Sequence, residues 1–469
     1  MRRLRLRTAV LLLFAPLVLA AAPALAERDP RSDFDRDFSR TLPVKAGQRL
    51  EIEHSQGAIR ITTHKLPEIR VKARISVSSS DADGAQKFGD GIVITVEDSG
   101  GSIVVRTKYP EKNWTFIGSG HVSFSVDYDI VVPETMGVSA RNKFGDISVD
   151  RLMADSTLSA ANGSVRFRDG KGSQRLDATF GSVEIIRNAG PVDVTGANGS
   201  VVAAEIAGPA MIRNRFGSIT ARKIQGRTEI TNANGSIEIA EITGELKVTN
   251  SFGNVEAISV TGDASIRNTN GPVTLEAVSG DAEIEGSFGK VRASKIKKGL
   301  RVRSQNGEIS AADIDGPANL RTSFGLVEAD RVKGDLTVEN SNGSARASAI
   351  GGAASVRTSF AQVLLNGVGG RIDVDNSNGS IEVHSAPAKG AACASVSLKN
   401  SFGPIRVFLP DGVGYTVDAR TSFGKIRTEL PMTISGSSSS ETLSGRLGDG
   451  KCALTLVDSN GNIEIQKGK

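Results

Sequence analysis

The chain has 469 residues, with 57 Lys and Arg against 52 Asp and Glu, and its only cysteines are Cys393 and Cys452. Four of the basic residues (Arg2, Arg3, Arg5 and Arg7) sit at the extreme N-terminus, and without them the balance is 53 basic against 52 acidic. A near-neutral chain with no sustained basic run is excluded from the proteins that track a nucleic-acid backbone.

In chain order, residues 1–26 have the form of a secretory signal peptide. The four arginines form its basic n-region, residues 9–22 are apolar, and Ala24-Leu25-Ala26 is an A-x-A cleavage site. The apolar run is short for a membrane span, and no cysteine follows the cleavage site to carry a lipid. The expectation is an exported protein, periplasmic or at the cell surface, with no transmembrane anchor after cleavage. Residues 27–40 are rich in Asp and Arg and read as a polar leader. Residues 41–140 are β-rich but irregular, with polar stretches at 78–90 and 109–120, and read as an N-terminal cap of the kind that covers an open sheet edge. Tyr109, Trp114 and Phe116 cluster in the second stretch and form a candidate contact loop.

From residue 141 to 385 the chain is periodic. Every 18 residues a corner position holds Phe or Asn in strict alternation: Phe144, Asn162, Phe180, Asn198, Phe216, Asn234, Phe252, Asn270, Phe288, Asn306, Phe324, Asn342, Phe360, Asn378. Gly follows each one, except that Ala361 follows Phe360. With that Gly as zero, apolar residues recur at plus two and plus four, an aliphatic one at plus seven, a second Gly at plus nine, and another aliphatic one at plus thirteen. This is strand, turn, strand, turn, with no room for a helix. A unit of this kind cannot bury its own face, so neighbouring units stack around a shared core. The fold class is all-β, a single-stranded β-solenoid of two-strand coils, right-handed by analogy with parallel crossovers.

Whether a coil takes 18 or 36 residues is decided by the outward column at plus fourteen. It reads Arg267, Glu285, Arg303, Arg321, Glu339, Arg357, Asp375. An 18-residue coil sets opposite charges side by side at five of its six steps, whereas a 36-residue coil would put Arg267 on Arg303, Arg321 on Arg357 and Glu339 on Asp375, like pairs that adjacent strands disfavour. The prediction is 18 residues per coil, and 14 coils at roughly 4.8 Å make a rod about 65 Å long. Carrying strand parity from plus eleven to plus seventeen points the Phe and Asn corners inward, the rings filling the bend and the amides bonding backbone.

Residues 386–469 lose the period, with corners at Phe402, Phe423 and Asn460 and loops between them. In an exported protein Cys393 and Cys452 are candidates for a disulfide, with a pair of buried thiols as the alternative. They lie two units apart, so 18-residue coils stacked in sequence order would separate them by roughly 9.6 Å, beyond disulfide reach.

No catalytic, cofactor or metal motif stands out. His54, His64, His121 and His384 lack metal-ligand spacing, no nucleophile elbow is present, and acidic pairs such as Asp313 and Asp315 fit an alternating charged surface better than glycoside hydrolysis. The strands around Leu50-Glu51-Ile52 and 57–61, the Tyr128–Pro133 strand, and the serial Asn-Gly-Ser-Ile and Ser-Phe-Gly-x-Val corners resemble the bacterial putative-adhesin β-strand-repeat family of unknown function. That resemblance implies an exported or envelope-associated β-solenoid and brings no catalytic residues with it. The functional expectation is a non-enzymatic envelope protein whose rigid surface binds a protein or polysaccharide partner. The alternatives are a β-helix carbohydrate-active enzyme and a ligand-free spacer.

Overall fold

The computed structural model describes residues 32–79, 82–110, 122–386 and 393–468. The signal segment, Trp114, Phe116 and His121 lie outside these residues.

One coil shows how the sequence makes the fold. In Ile219–Gln225 the inward residues are Ile219, Ala221 and Ile224, and in Thr228–Asn234 they are Thr228, Ile230 and Asn232. The first strand joins one parallel sheet and the second joins another, and the two sheets close on each other with these side chains between them. Ile219 pairs with Ile237 and Ile230 with Val248, so each coil takes 18 residues. The charged column behaves accordingly: Arg267 bonds Glu285, Glu285 also meets Arg303 at 3.5 Å, and Arg321 meets Glu339 at 3.4 Å.

The jump from plus four to plus seven breaks strand alternation, and a single residue absorbs it. Position plus six is left-handed in twelve successive coils without glycine, from Arg151 (φ 61°) to Ala349 (φ 54°), and Gly367 (φ 72°) continues the column. Such a conformation costs a non-glycine residue on the order of 1 kcal/mol. It persists because the ladder holds both flanking segments in place, and it turns plus seven back into the core. The column also pairs its own charges, as in Asp169 with Arg187 and Asp313 with Arg331.

A second column replaces one that the alternation suggests. At plus fifteen, two residues before the corner, buried Asn side chains satisfy corner carbonyls that the strand ladders leave free. Asn268 Nδ2 donates to the carbonyls of Gly253 (2.9 Å) and Gly271 (3.0 Å), and Asn400 Nδ2 to those of Gly379 and Gly403 (2.8 Å each). Thr322 and Thr358 do the same with their hydroxyls, towards Gly307 (3.2 Å) and Gly343 (3.1 Å). The inward amide ladder therefore stands at Asn232, Asn250, Asn268 and their equivalents, and the alternating corner is not part of the core.

Both ends of the rod are built out of sequence order. Arg49–Gln56 lies between Ser102–Lys108 and Gly137–Phe144, and Ile59–His64 lies between Ser123–Pro133 and Ile147–Asp150, all parallel. Glu68–Ser79 then pairs antiparallel with Ser123–Pro133, and Ser32–Pro43 pairs antiparallel with Glu68–Ser79. Residues 32–43 are thus an edge strand where a polar leader is expected, since Phe34, Phe38 and Leu42 share one face within the charged run and pack on the core. The polar stretch at 78–90 contains a helix, Ala82–Asp90, with Asp83 in its first turn and Lys87 in its last, as the helix dipole favours. A Cβ at Gly89 would fall 2.2 Å from the Phe34 ring, so glycine lets this helix lie on the edge strand.

At the other end Tyr415–Thr421 skips one place in the stack. The last two strands, Cys452–Asn460 and Ile463–Lys467, return to fill the gap, pairing with Val396–Phe402 and Ile405–Leu409 on one side and with Tyr415–Thr421 and Ile426–Thr428 on the other. This insertion makes Cys393 and Cys452 neighbours. They form a disulfide with Cα atoms 6.0 Å apart, two units distant in sequence yet one coil apart in space.

The inserted coil carries Asp458 in the ladder column, between Asn400 and Thr421. Asp458 is 3% exposed, its Oδ1 accepts from the Asn460 amide at 3.2 Å, and its Oδ2 has no partner among the described residues. Burial pushes its pKa up to about 6. A carboxyl whose folded pKa is raised contributes full stability below its unfolded value near 3.8 and loses it as pH rises through 6.

Two outcomes follow for stability. Asn268→Ala should lower the denaturation midpoint by the equivalent of roughly 1–2 kcal/mol, and Asn270→Ala at the corner by less than about 0.5, measured by chemical unfolding. Equal losses would contradict the ladder position. Asp458→Asn should raise stability at pH 7.5 by roughly 2–3 kcal/mol and leave it unchanged at pH 4. A gain of the same size at both pH values would rule out the buried charge as its source.

Candidate interaction surface: the aromatic corner

The corner series is in register across coils: Phe144 stands beside Asn162, Asn162 beside Phe180, and Phe216 beside Asn234. Its direction differs from strand parity. Phe144, Phe180, Phe216, Phe252, Phe288, Phe324, Phe360 and Phe402 are 46 to 56% exposed, and Phe423 is 77% exposed. The physical reason is backbone crowding. A Cβ placed on Gly163, Gly181 or Gly199 would lie 2.0–2.2 Å from the carbonyl oxygen of the corner glycine one coil earlier. Successive backbones touch at this bend, so the interior has no volume for a ring and the side chain before the glycine turns outward.

Four of the corner asparagines lean on the coil before them. Nδ2 of Asn162 donates to the Lys143 carbonyl (3.2 Å), Asn198 to Thr179 (3.2 Å), Asn378 to Ser359 (3.4 Å) and Asn460 to Ser401 (3.4 Å). Each amide is thereby fixed against a coil that bears a ring. Successive rings are separated by one Asn coil, a pitch of roughly 9.6 Å.

The edge is short of charge. The residue before the corner is Ser at positions 251, 287, 323, 341, 359, 377, 401 and 459. Charge approaches at a few coils: Lys143 precedes Phe144, Arg215 lies over the Phe216 ring at 5.8 Å, Lys290 bonds Glu308, and Lys425 follows Phe423.

The alternation is kept in space where the sequence loses it. Along the chain the last corners are Phe402, Phe423 and Asn460. In the stack Asn378 pairs with Phe402 and Phe402 with Asn460; Thr421 stands opposite Asp458 and the Phe423 amide donates to the Ser459 carbonyl at 2.9 Å. The spatial order is Asn378, Phe402, Asn460, Phe423. The returning coil restores the pattern.

The loop singled out from sequence divides. Tyr109 is half-buried, its ring 5.3 Å from that of Phe124, and burial pushes its pKa upward. It belongs to the packing of the cap and not to an open contact surface. Trp114 and Phe116 lie outside the described residues.

The acids and histidines are engaged in the structure. Asp313 pairs with Arg331 at 2.6 Å, and Asp315 with Lys297 at 3.0 Å and Lys333 at 2.7 Å. Hydrogen bonds from these cations hold both carboxyls below their usual range, the reverse of what a glycosidase acid requires. His54 packs edge-on against Tyr128 with centroids 5.0 Å apart, and burial lowers its pKa. His384 stacks on Phe408, and His64 Nε2 lies 2.8 Å from the Glu68 carbonyl. A shallow groove of about 560 Å³ follows the other corner, past Asp263, Asp281, Pro317 and Asp335. Its aspartates accept backbone amides of the next coil: Asp263 from Asp281 (2.9 Å), Asp281 from Gly299 (2.8 Å), Asp335 from Ala353 (2.8 Å). They act as turn ladders.

The outward direction of the rings was missed by parity. The signal for it lay beside them, in the glycine that follows every corner but Phe360 and marks the bend where successive backbones touch.

No family model matches the sequence, and no curated protein matches it. Among solved structures, the chain is similar to a putative cell adhesion protein from Clostridium sporogenes, at 8% identity over 92% of this chain and 100% of that one, with a TM-score of 0.15. It is also similar to a putative lipid binding protein from Parabacteroides distasonis, at 9% identity over 72% of this chain and 96% of that one, with a TM-score of 0.16. Likeness at these scores assigns neither family nor activity to the chain.

Proposed function

We propose that this protein is a non-enzymatic, exported β-solenoid of the cell envelope with an adhesin-like role, and that the aromatic corner is its contact edge. The observation that carries the reading is the row of half-exposed phenylalanines on an edge poor in charge. Exposed apolar surface of this extent marks an interaction site in a folded protein. The signal-peptide pattern and the resemblance of the Asn-Gly and Phe-Gly corners to the exported repeat family support the location. The pairing of acids with bases along the coils supports a binding role over the glycoside-hydrolase alternative. Among the described residues no helix is long and apolar enough to cross a membrane.

The test uses the mature chain and envelope fractions of the producing cell. Wild-type protein should co-sediment with one fraction, and the triple variant Phe216→Ser, Phe252→Ser, Phe288→Ser should lose about tenfold or more of that retention with an unchanged circular-dichroism spectrum. Equal sedimentation of the two proteins would overturn the contact edge, and no sedimentation of either would favour the spacer.

A further inference from the structure

We infer that the aromatic corner docks a second copy of this chain, two rods lying antiparallel with their Phe rows interlocked. The inference rests on the reading of the corner as a contact edge and names its occupant.

Shape is the first argument. The edge alternates a protruding ring with a short amide, tied back to its own backbone at Asn162, Asn198, Asn378 and Asn460, at a ring pitch of roughly 9.6 Å. Such an edge is complementary to itself. A second edge displaced by one coil sets each ring of one rod against an Asn coil of the other. With the rods antiparallel, a two-fold axis crossing the edge between adjacent coils generates this displacement, and both copies use the same patch. The contact closes on itself as a dimer and does not propagate into a filament.

Area is the second. A phenylalanine buries about 150–250 Å² when fully covered. Nine rings about half exposed therefore offer on the order of 900 Å² per copy, against the roughly 800 Å² per partner of a stable interface. Charge is the third. Serines at 251, 287, 323 and 359 adjoin the rings of the central and later coils, so closing the edge there strips little charge of its water, with Lys143 and Arg215 the charged neighbours at the earlier rings.

The fourth argument is the C-terminal coil. A 36-residue internal duplication would account for alternation along the regular coils. It does not account for Asn460, which belongs to a strand inserted out of sequence order and still falls between Phe402 and Phe423. The alternation is a property of the finished surface, as a toothed interface requires.

The experiment is sedimentation velocity and light scattering on the mature chain. Wild type should have twice the chain mass. The triple variant Phe216→Ser, Phe252→Ser, Phe288→Ser should have the chain mass with its melting temperature retained. A second variant, Ser251→Lys, Ser287→Lys, Ser323→Lys, keeps every ring, sets like charges against each other across the edge, and should also be monomeric. Amine cross-linking should join Lys143 to Lys399 or Lys425; these residues lie near opposite ends of one rod, so the link must join two copies. A wild type that stays at the chain mass at about 100 μM overturns the proposal, as does a dimer that survives both variants. A monomeric wild type that loses envelope retention with the Phe variant keeps the contact edge and removes the second copy. A dimer whose envelope retention ignores that variant removes the envelope reading and keeps the second copy. A monomer that binds phosphatidylglycerol vesicles or a soluble oligosaccharide through these rings overturns the second copy in favour of that ligand.

Discussion

The structure depends on backbone contact between successive coils at the glycine corner. At this bend every regular coil carries glycine except one, which has Ala361 at φ 89°, and a Cβ on the corner glycines would meet a carbonyl oxygen of the neighbouring coil at 2.0–2.9 Å. Once that contact is made, the neighbour of every residue is the one 18 positions away, and each local choice becomes a column. The left-handed residue at plus six, the buried amide at plus fifteen and the charges at plus fourteen are such columns. The outward turn of the rings follows from the same crowding.

Columns differ in what they contribute. Exposed ion pairs such as Arg267 with Glu285 are worth about 0–1 kcal/mol each, so their main effect is on register, because a slip of one coil would place Arg267 on Arg303, Arg321 on Arg357 and Glu339 on Asp375. The buried amides act on stability, since the corner carbonyls they satisfy face an interior without other donors. Asp458, the acidic member of this column, sits in the inserted coil, and its Oδ2 is buried without a partner among the described residues, as are the Oδ1 atoms of the ladder asparagines.

A rod of parallel coils leaves an unpaired strand at each end, and both ends meet this in a related way. The coil that starts at Arg49 and the one that starts at Cys452 are each held between two other coils. Near the chain termini the ladder is thus paired on both sides, and the outermost strands are antiparallel or supplied by mid-chain segments. The disulfide between Cys393 and Cys452 fastens the inserted coil to its neighbour. This resolves the apparent conflict between an 18-residue coil and a bridge between cysteines two units apart.

The solenoid, its coil length and the non-local pairing of charges were legible in the sequence, because a parallel in-register stack turns three-dimensional adjacency into a fixed sequence offset. What lies within one period could be read; what depends on departures from it could not. Strand parity placed Phe and Asn inward, because alternation cannot register a bend where two backbones touch. It likewise missed the edge strand at Ser32–Pro43, whose three apolar residues are diluted by charge. The order of the terminal coils, and with it the disulfide and the restored alternation at Asn460, was decided only in the tertiary structure. A strand returning to fill a gap obeys the shape of the stack already formed, and no offset along the chain encodes that shape.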